Sequence, residues 1–305
     1  MKNLPQISLL TSPDWKNYAL LDSGDGRKLE KFGQYVLIRP EAEAIWKPTL
    51  NSTVWAQADA EFIPTPEKNG GHWVSKHKME DRWPLAYKGL QCWLQTTASR
   101  HVGVFPEQAE QWDWIASQVK MASKKARVLN LFGYTGMASL AAVQAGAEVT
   151  HVDASQKTLN WGKENQALSG LGNDPIRWLL DDAFKFVLRE QRRGSQYDGI
   201  ILDPPKFGRG PKGEVWEFYK ILPNLLATCA QILSPQPQFV LLTAYAIKAS
   251  ALTLYYAVNE IMSKHHGTTT IGEVLLQEQS KQHAISMAIY ARWSRVQKSG
   301  ASNDN

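Results

Sequence analysis

Three aspartates stand at equivalent places in the chain, each just past an apolar run. Asp153 ends the run 148–152, Asp182 follows 176–180 and Asp203 ends 199–202. Upstream of them, Gly133 and Gly136 break the apolar run that starts at Val128, and the small-residue stretch 137–143 follows. A dinucleotide site needs G-x-G-x-x-G, because the backbone must come close to a pyrophosphate at a helix N-terminus. Here Tyr134 stands where the second glycine of that motif would be. The turn therefore suits a nucleoside ligand without phosphates. An acid about 20 residues past such a turn is placed to accept hydrogen bonds from two ribose hydroxyls, which is the role expected of Asp153. Asp182 and the amide of Ala183 can hold an adenine edge, carboxylate to exocyclic amine and amide to ring nitrogen. Asp203 falls over the cleft where a reacting centre would lie. Any one aspartate at a strand end also reads as a helix N-cap; three in register with the glycine turn read as a binding site.

Strands and helices must alternate to put these residues together. The pattern predicts strands at 128–132, 148–152, 176–180, 199–202 and 238–242. Helices are expected at 137–143, 155–168, 183–192, 214–233 and 250–262. Two long β runs, 268–277 and 284–293, close the pattern with no helix between them. That order implies a doubly wound, mostly parallel seven-stranded sheet with an antiparallel C-terminal hairpin, which binds its ligand beyond the carboxyl ends of the strands. Pro106 and Glu107 open a further helix ahead of the first strand, proline and an acid both being favoured in a first turn.

Residues 1–100 read as a separate small β-rich unit. A hairpin is expected over 18–32 around Ser23-Gly24-Asp25-Gly26, further short strands follow, and 41–46 has the length of a helical turn. Eight of the 12 tryptophans lie before residue 115. They could be stacking platforms for bases, but the core of a small sheet accounts for most of them. The tail 298–305 is expected to be disordered.

Composition sets wide bounds. The chain has 305 residues, 43% of them hydrophobic and 21% charged, as ordinary globular proteins do. No apolar run approaches the roughly 20 residues that span a bilayer, and residues 1–10 lack the pattern of a secretory signal. Cys92 and Cys229 form neither a disulfide framework nor a metal-ligand spacing. A cytoplasmic setting without metal follows, and the oligomeric state is open. A net charge of +5 permits a nucleic-acid partner and fits a mildly basic enzyme equally well.

The glycine turn with Asp153, Asp182 and Asp203-Pro204-Pro205-Lys206-Phe207 resembles the motif set of class I S-adenosylmethionine-dependent methyltransferases. More narrowly, Phe132-Gly133-Tyr134-Thr135-Gly136 with 203–207 resembles the bacterial 23S ribosomal RNA methyltransferases of the cytosine-C5 and guanine-N7 types. So does His101-Val102-Gly103-Val104-Phe105-Pro106-Glu107-Gln108, which in those enzymes packs over the cofactor. The resemblance covers about 100–295. It implies a Rossmann-like class I methyltransferase domain over 101–297 and S-adenosylmethionine as cofactor, with S-adenosylhomocysteine as product. Cofactor contacts would come from Phe105, Gln108, Asn130, Phe132, Gly133, Tyr134, Thr135, Gly136, Asp153, Ala154, Ser155, Asp182, Ala183 and Asp203. Asp203, Pro204, Pro205, Lys206 and Phe207 would carry the chemistry, on an RNA substrate, ribosomal RNA foremost.

The same resemblance narrows the acceptor atom. Relatives that methylate a pyrimidine C5 place a cysteine after the fourth or fifth strand, and here 203–206 and 242–247 contain none. Cys229 sits among leucines of a long helix and reads as a small buried hydrophobe. Nitrogen methylation remains. In the Asn/Asp-Pro-Pro-aromatic tetrapeptide of amino-group methyltransferases the aromatic stacks on the base; here Lys206 holds that place and Phe207 comes one later, which agrees better with the ring-nitrogen relatives. The stretch 208–213 is expected to be a glycine-rich loop, with Lys206, Arg209 and Lys212 meeting phosphates as it orders on binding or standing as solvated charges. A methyltransferase acting on a protein or small molecule, and a non-catalytic RNA-binding relative, are the alternatives. A nicotinamide-dependent oxidoreductase disagrees with the glycine spacing.

Overall fold

The computed structural model describes residues 4–12, 15–65 and 70–296. The chain opens with β1 (Ile7–Thr11), β2 (Tyr18–Gly24), β3 (Arg27–Phe32), β4 (Tyr35–Pro40) and the single turn α1 (Ser52–Trp55). Next come β5 (Ala60–Pro64), β6 (Gly71–Ser75), β7 (Trp83–Tyr87) and β8 (Leu90–Leu94). A 3-10 turn, Pro106–Gln108, leads into α2 (Ala109–Lys120). Strands and helices then alternate: β9 (Arg127–Leu131), α3 (Met137–Gln144), β10 (Glu148–Asp153), α4 (Gln156–Leu168), β11 (Ile176–Leu180), α5 (Ala183–Arg192) and β12 (Gly199–Leu202). Short β13 (Phe207–Arg209) and β14 (Val215–Glu217) precede α6 (Phe218–Gln231), β15 (Phe239–Ala244), α7 (Ala251–Met262), β16 (Gly267–Gln277) and β17 (Ala284–Arg295).

The main sheet has eight strands in the order β1-β16-β17-β15-β12-β9-β10-β11. Five of them, β15, β12, β9, β10 and β11, are parallel. The hairpin β16–β17 joins them antiparallel through β17. The central strands β12 and β15 are buried on both faces, which explains why they read as continuous apolar runs. Leu129 and Leu131 of β9 pack with Leu222 and Leu225 of α6, while Val128 packs with Ile115 of α2 and Val143 of α3. From β9 the chain moves outward through β10 and β11, then crosses back to β12 on the other side of β9. The strand order reverses there, and the crevice between the carboxyl ends of β9 and β12 is where such sheets bind ligands.

The eighth strand is β1, which pairs parallel with β16 from Ile7↔Ile271 to Thr11↔Leu275. Composition put this segment with the N-terminal unit, yet it lies at the edge of the large sheet. The remaining N-terminal strands form a five-stranded sheet, β2-β3-β4-β5-β6, and the separate hairpin β7–β8. Asp25 and Gly26 turn the hairpin β2–β3 with φ of 50° and 75°, as a two-residue loop of this kind requires. The segment 41–46 is a non-helical turn, and the short helix falls instead at α1, where the Asn51 side chain accepts from the Val54 amide. Tryptophans serve the core here: Trp83 donates Nε1–H to the Phe32 carbonyl at 3.0 Å and Trp55 to Asp22 at 2.9 Å. Phe32, Leu85 and Leu94 share one apolar cluster with Trp112, Met137, Leu140 and Leu276, so the N-terminal sheets pack directly on the larger domain.

One further expectation changes. Residues 214–217 are not helical: Val215–Glu217 pairs antiparallel with Phe207–Arg209, and α6 starts at Phe218. The β-preferring pair Val215-Trp216 gains a ladder there, and Trp216 donates Nε1–H to the Pro205 carbonyl at 2.6 Å. The tail 298–305 lies outside the described residues.

Candidate active site

The turn after β9 is tight. Phe132, Tyr134 and Gly136 have φ of 59°, 52° and 90°, so three of five consecutive residues are left-handed. For Phe132 and Tyr134 this is a strained conformation, of the kind that gathers at functional sites. The two glycines are required by close approach as well. A Cβ on Gly133 would collide with the buried His151 ring, and one on Gly136 would lie 2.6 Å from the Trp178 ring. His151 is held against the turn by Ser139, whose Oγ lies 2.9 Å from Nδ1 and accepts from Asn130 Nδ2 at 2.9 Å. Burial pushes the imidazole pKa down to about 3, so His151 is a neutral packing group. Asn130 thus anchors the turn from below. Gly136 stands at the N-cap of α3 and no side chain caps the helix, and Met137 and Ala138 of its first turn line the cavity above.

That cavity is walled by the turn, Val104, Phe105, Gln108, Asn130, Asp203 and Thr243. The segment before α2 closes one side. Thr135 donates Oγ–H to the Gly103 carbonyl at 2.7 Å, and the Phe105 ring packs 5.3 Å from Tyr134 and 5.5 Å from Tyr245. Gln108 donates Nε2–H to Asp203 Oδ2 at 3.2 Å, while Asp203 Oδ1 is buried with no partner. Burial, with the charge of Glu107 added, pushes the Asp203 carboxyl up to about 8.

The structure therefore unites Phe105, Gln108, Asn130, Phe132, Gly133, Tyr134, Thr135, Gly136 and Asp203 around one cavity. Asp153 stands behind the turn rather than in the lining. Its Oδ2 accepts from the Tyr134 amide at 2.8 Å, and its Oδ1 accepts from the Ser155 amide at 2.9 Å and Thr158 Oγ at 2.8 Å. Ser155 caps α4, and Asp182 caps α5 by accepting from the Lys185 amide at 2.9 Å. Ala154 follows Asp153 directly, and Ala183 is buried in the core. Pro204, Pro205, Lys206 and Phe207 lead away from the cavity. Phe207 is 65% exposed, with the Lys206 ammonium 5.6 Å from its ring. Beyond them the stretch 208–213 is the tip of a ribbon, held by Glu214, which pairs with Lys185 at 2.7 Å and accepts from the Lys212 amide at 2.8 Å.

Sequence reasoning passed over Glu107 and Tyr245. Both are buried beside Asp203, where Glu107 and Gln108 are the polar neighbours of the Tyr245 hydroxyl but neither forms a well-aligned hydrogen bond with it. Glu107 belongs to a segment already singled out, but it read as an ordinary acid of a first helical turn. Tyr245 had no signal beyond its place one residue after β15.

A family model for S-adenosylmethionine-dependent methyltransferases matches residues 61–253. A SAM-dependent methyltransferase from Agrobacterium tumefaciens, known from its crystal structure, is 44% identical with a TM-score of 0.91, over 97% of this chain and 98% of that one. Ribosomal RNA large subunit methyltransferase K/L of Shewanella baltica (strain OS195) is 38% identical over 124 residues, which is 40% of this chain and 17% of the relative. Ribosomal RNA large subunit methyltransferase I of Klebsiella pneumoniae (strain 342) is 32% identical over 125 residues, 41% of this chain and 30% of the relative. The chain thus spans less than a third of the length of these two ribosomal RNA enzymes. Its match to the family model over more than half its residues, and to the Agrobacterium structure over nearly all of them, places this chain in the S-adenosylmethionine-dependent methyltransferases.

Proposed function

We propose that the cavity between β9 and β12 holds S-adenosylmethionine and that the enzyme methylates a base nitrogen in RNA, ribosomal RNA foremost, in the cytoplasm. The observation that carries the site is the unpartnered Oδ1 of Asp203, buried in the same cavity as a glycine turn with uncapped helix amides. Backbone N–H groups at a helix N-terminus attract a carboxylate, so the α3 end suits the methionine carboxylate. Asp153 is fixed at the turn for the ribose hydroxyls, and Asp182 with Ala183 for the adenine edge. Phe105 and Tyr134 exclude water from the mouth. The bound cofactor supplies an activated methyl on a sulfonium and leaves as S-adenosylhomocysteine. The protein's task is then to hold a nucleophile about 3 to 3.5 Å from that methyl, in line with the bond that breaks.

Nitrogen rather than pyrimidine C5 is supported by the thiols. Both cysteines are buried, and burial pushes Cys92 up to about 12 and Cys229 higher still. Neither lines the cavity. RNA is supported by the printed functions of the two ribosomal RNA relatives and by the exposed ribbon beside the cavity mouth. There Phe207 offers a stacking face, and Lys206, Arg209 and Lys212 offer charges for phosphates. The N-terminal sheets, packed on the same domain, would extend that surface.

The test is transfer of tritiated methyl from the cofactor to RNA from a strain lacking the gene, beside RNA from its parent. Label should enter only the deficient RNA and appear in a methylated nucleoside. Equal labelling of both RNAs, or label in protein alone, would overturn the RNA reading.

A further inference from the structure

The ribbon β13–β14 has two faces, because successive side chains of a strand point opposite ways. Phe207, Arg209 and Val215 stand on the outer face, with Phe207 65% and Val215 56% exposed. Gly208 and Trp216, paired opposite each other, turn inward, and Trp216 is 4% exposed. A Cβ on Gly208 would lie 3.3 Å from the Pro205 ring, so the ribbon folds back closely on the segment that it leaves. Any large apolar side chain could fill such an inner face. The sequence puts a tryptophan there, whose ring also carries one obligatory donor.

Trp216 touches both halves of the site. Its Nε1–H donates at 2.6 Å to the carbonyl of Pro205, which follows Asp203 and Pro204. Its ring lies 4.8 Å from that of Phe132, the first left-handed residue of the cofactor turn and part of the cavity lining. Next along the chain, the Phe218 amide donates to the Lys206 carbonyl at 3.1 Å, so two consecutive carbonyls of the acceptor segment are held from one side. Toward its tip the ribbon meets α5, where Glu214 pairs with Lys185 and the Lys185 amide bonds the cap Asp182. A buried indole needs an acceptor for its N–H, and a purely structural one is served by any carbonyl. Here the acceptor lies on the path from Asp203 to Phe207, and the ring contact lies in the turn. Close packing lets such a ring pass a displacement from one neighbour to the other.

We propose that Trp216 is a positioning residue that links the cofactor turn to the segment 204–207, so that filling the cavity sets the Pro205 carbonyl and the Phe207 ring for the acceptor. This rests on the methyl-transfer site proposed above. Cofactor in the cavity fixes the Phe132 ring, and Phe132 fixes the indole. The indole N–H then fixes the Pro205 carbonyl, and with it the direction in which the chain carries Phe207 outward. Trp216 touches no reacting atom and acts through Phe132 and Pro205. Methyl transfer tolerates little misplacement of the nucleophile, which is what such a link serves. The coupling is reciprocal: an acceptor stacked on Phe207 tightens cofactor binding by the same factor.

The test titrates S-adenosylhomocysteine into the full-length protein and follows NMR signals of isotope-labelled tryptophan and phenylalanine nitrogens. Trp216→Phe assigns the Trp216 indole signal, and Phe207→Leu, an exposed substitution, assigns the Phe207 amide. Both signals should shift as the cavity fills. In Trp216→Phe the Phe207 shift should vanish, although calorimetry shows that this variant still binds S-adenosylhomocysteine. Binding that leaves the wild-type Phe207 amide unmoved overturns the proposal without the Trp216 variant having to fold. A Phe207 shift kept in a folded Trp216→Phe overturns it as well. No binding to the wild type removes the cavity reading, and the proposal with it. Methyl transfer to the deficient RNA gives a second readout. In Trp216→Phe, kcat/KM for the RNA should fall about 3- to 10-fold, the worth of one hydrogen bond, with cofactor affinity in the absence of RNA unchanged. An equal fall in both would mark a merely structural residue and refute the link. If no RNA is labelled the RNA reading fails alone, and the NMR response still decides.

Discussion

Replacing Gly136 with alanine asks whether the cofactor turn is held from beneath by a rigid floor. At a φ of 90° an L-residue pays for the left-handed backbone, about 1–2 kcal/mol. The new methyl would also stand 2.6 Å from the edge of Trp178. That ring is boxed in: its Nε1–H is bonded to Gln166 Oε1 at 2.9 Å, and its face lies 4.3 Å from the His151 ring. Forcing an atom into such packing costs about 1–3 kcal/mol. Alanine's lower entropy in the unfolded chain returns about 0.4–1 kcal/mol. The expected net loss is thus about 2–4 kcal/mol, a large part of the stability of a typical domain. Gly170→Ala is the matched control, with a φ of 71° and nothing within 4 Å of the added Cβ. It should lose about 1 kcal/mol or less. Urea unfolding followed by circular dichroism measures both, and calorimetry should show weakened S-adenosylmethionine binding only for Gly136→Ala. Adding Trp178→Phe to Gly136→Ala should recover the steric part as a coupling energy. Equal losses in the two glycine variants, or no coupling to Trp178, would refute the rigid floor.

Asp22 offers a pH test of the joint between the N-terminal sheet and the β16–β17 hairpin. Burial would raise its pKa, but donation from Trp55, the Leu50 and Thr49 amides and Ser280 holds it below the usual aspartate range. A depressed folded pKa gives stability that is full above the unfolded value and is lost as pH falls through the folded one. Asp22→Asn should therefore be less stable than wild type at pH 7, with the gap closing below about pH 4, as urea midpoints across pH would show; a pH-independent gap would contradict the linkage. The double variant Cys92→Ala/Cys229→Ala should lose about 1 kcal/mol at each site and keep methyl transfer, since neither thiol reaches the cavity. Loss of transfer in a folded double variant would reopen a thiolate route.

What could be read from sequence depended on how local its cause was. β12 and β15 fall where the apolar runs and their flanking polar residues put them, because a strand buried on both faces writes itself as one unbroken stretch. β1 was missed as part of the main sheet because its partner Ile271 lies more than 250 residues away, and nothing in Ile7–Thr11 alone says which edge it joins. The ribbon β13–β14 was hidden for a related reason. Val215-Trp216-Glu217 runs straight into a helix, and only pairing with Phe207–Arg209 makes it a strand. In the site, the glycine turn was legible since its backbone needs are local. Asp182 shows the limit of that reading: one oxygen caps α5, so a single strand-end acid serves the fold whatever else it binds. Glu107 shows the reverse. An acid after a proline reads as a solvated first-turn residue, yet Lys28, Arg39 and Glu30 from the N-terminal sheet and Asp203 and Tyr245 from the far strands converge on it. Its chemistry is a property of that convergence, which no window of sequence contains. The N-terminal sheets are accordingly more than an appendage, because charges they bury reach Glu107, which adds to burial in raising Asp203.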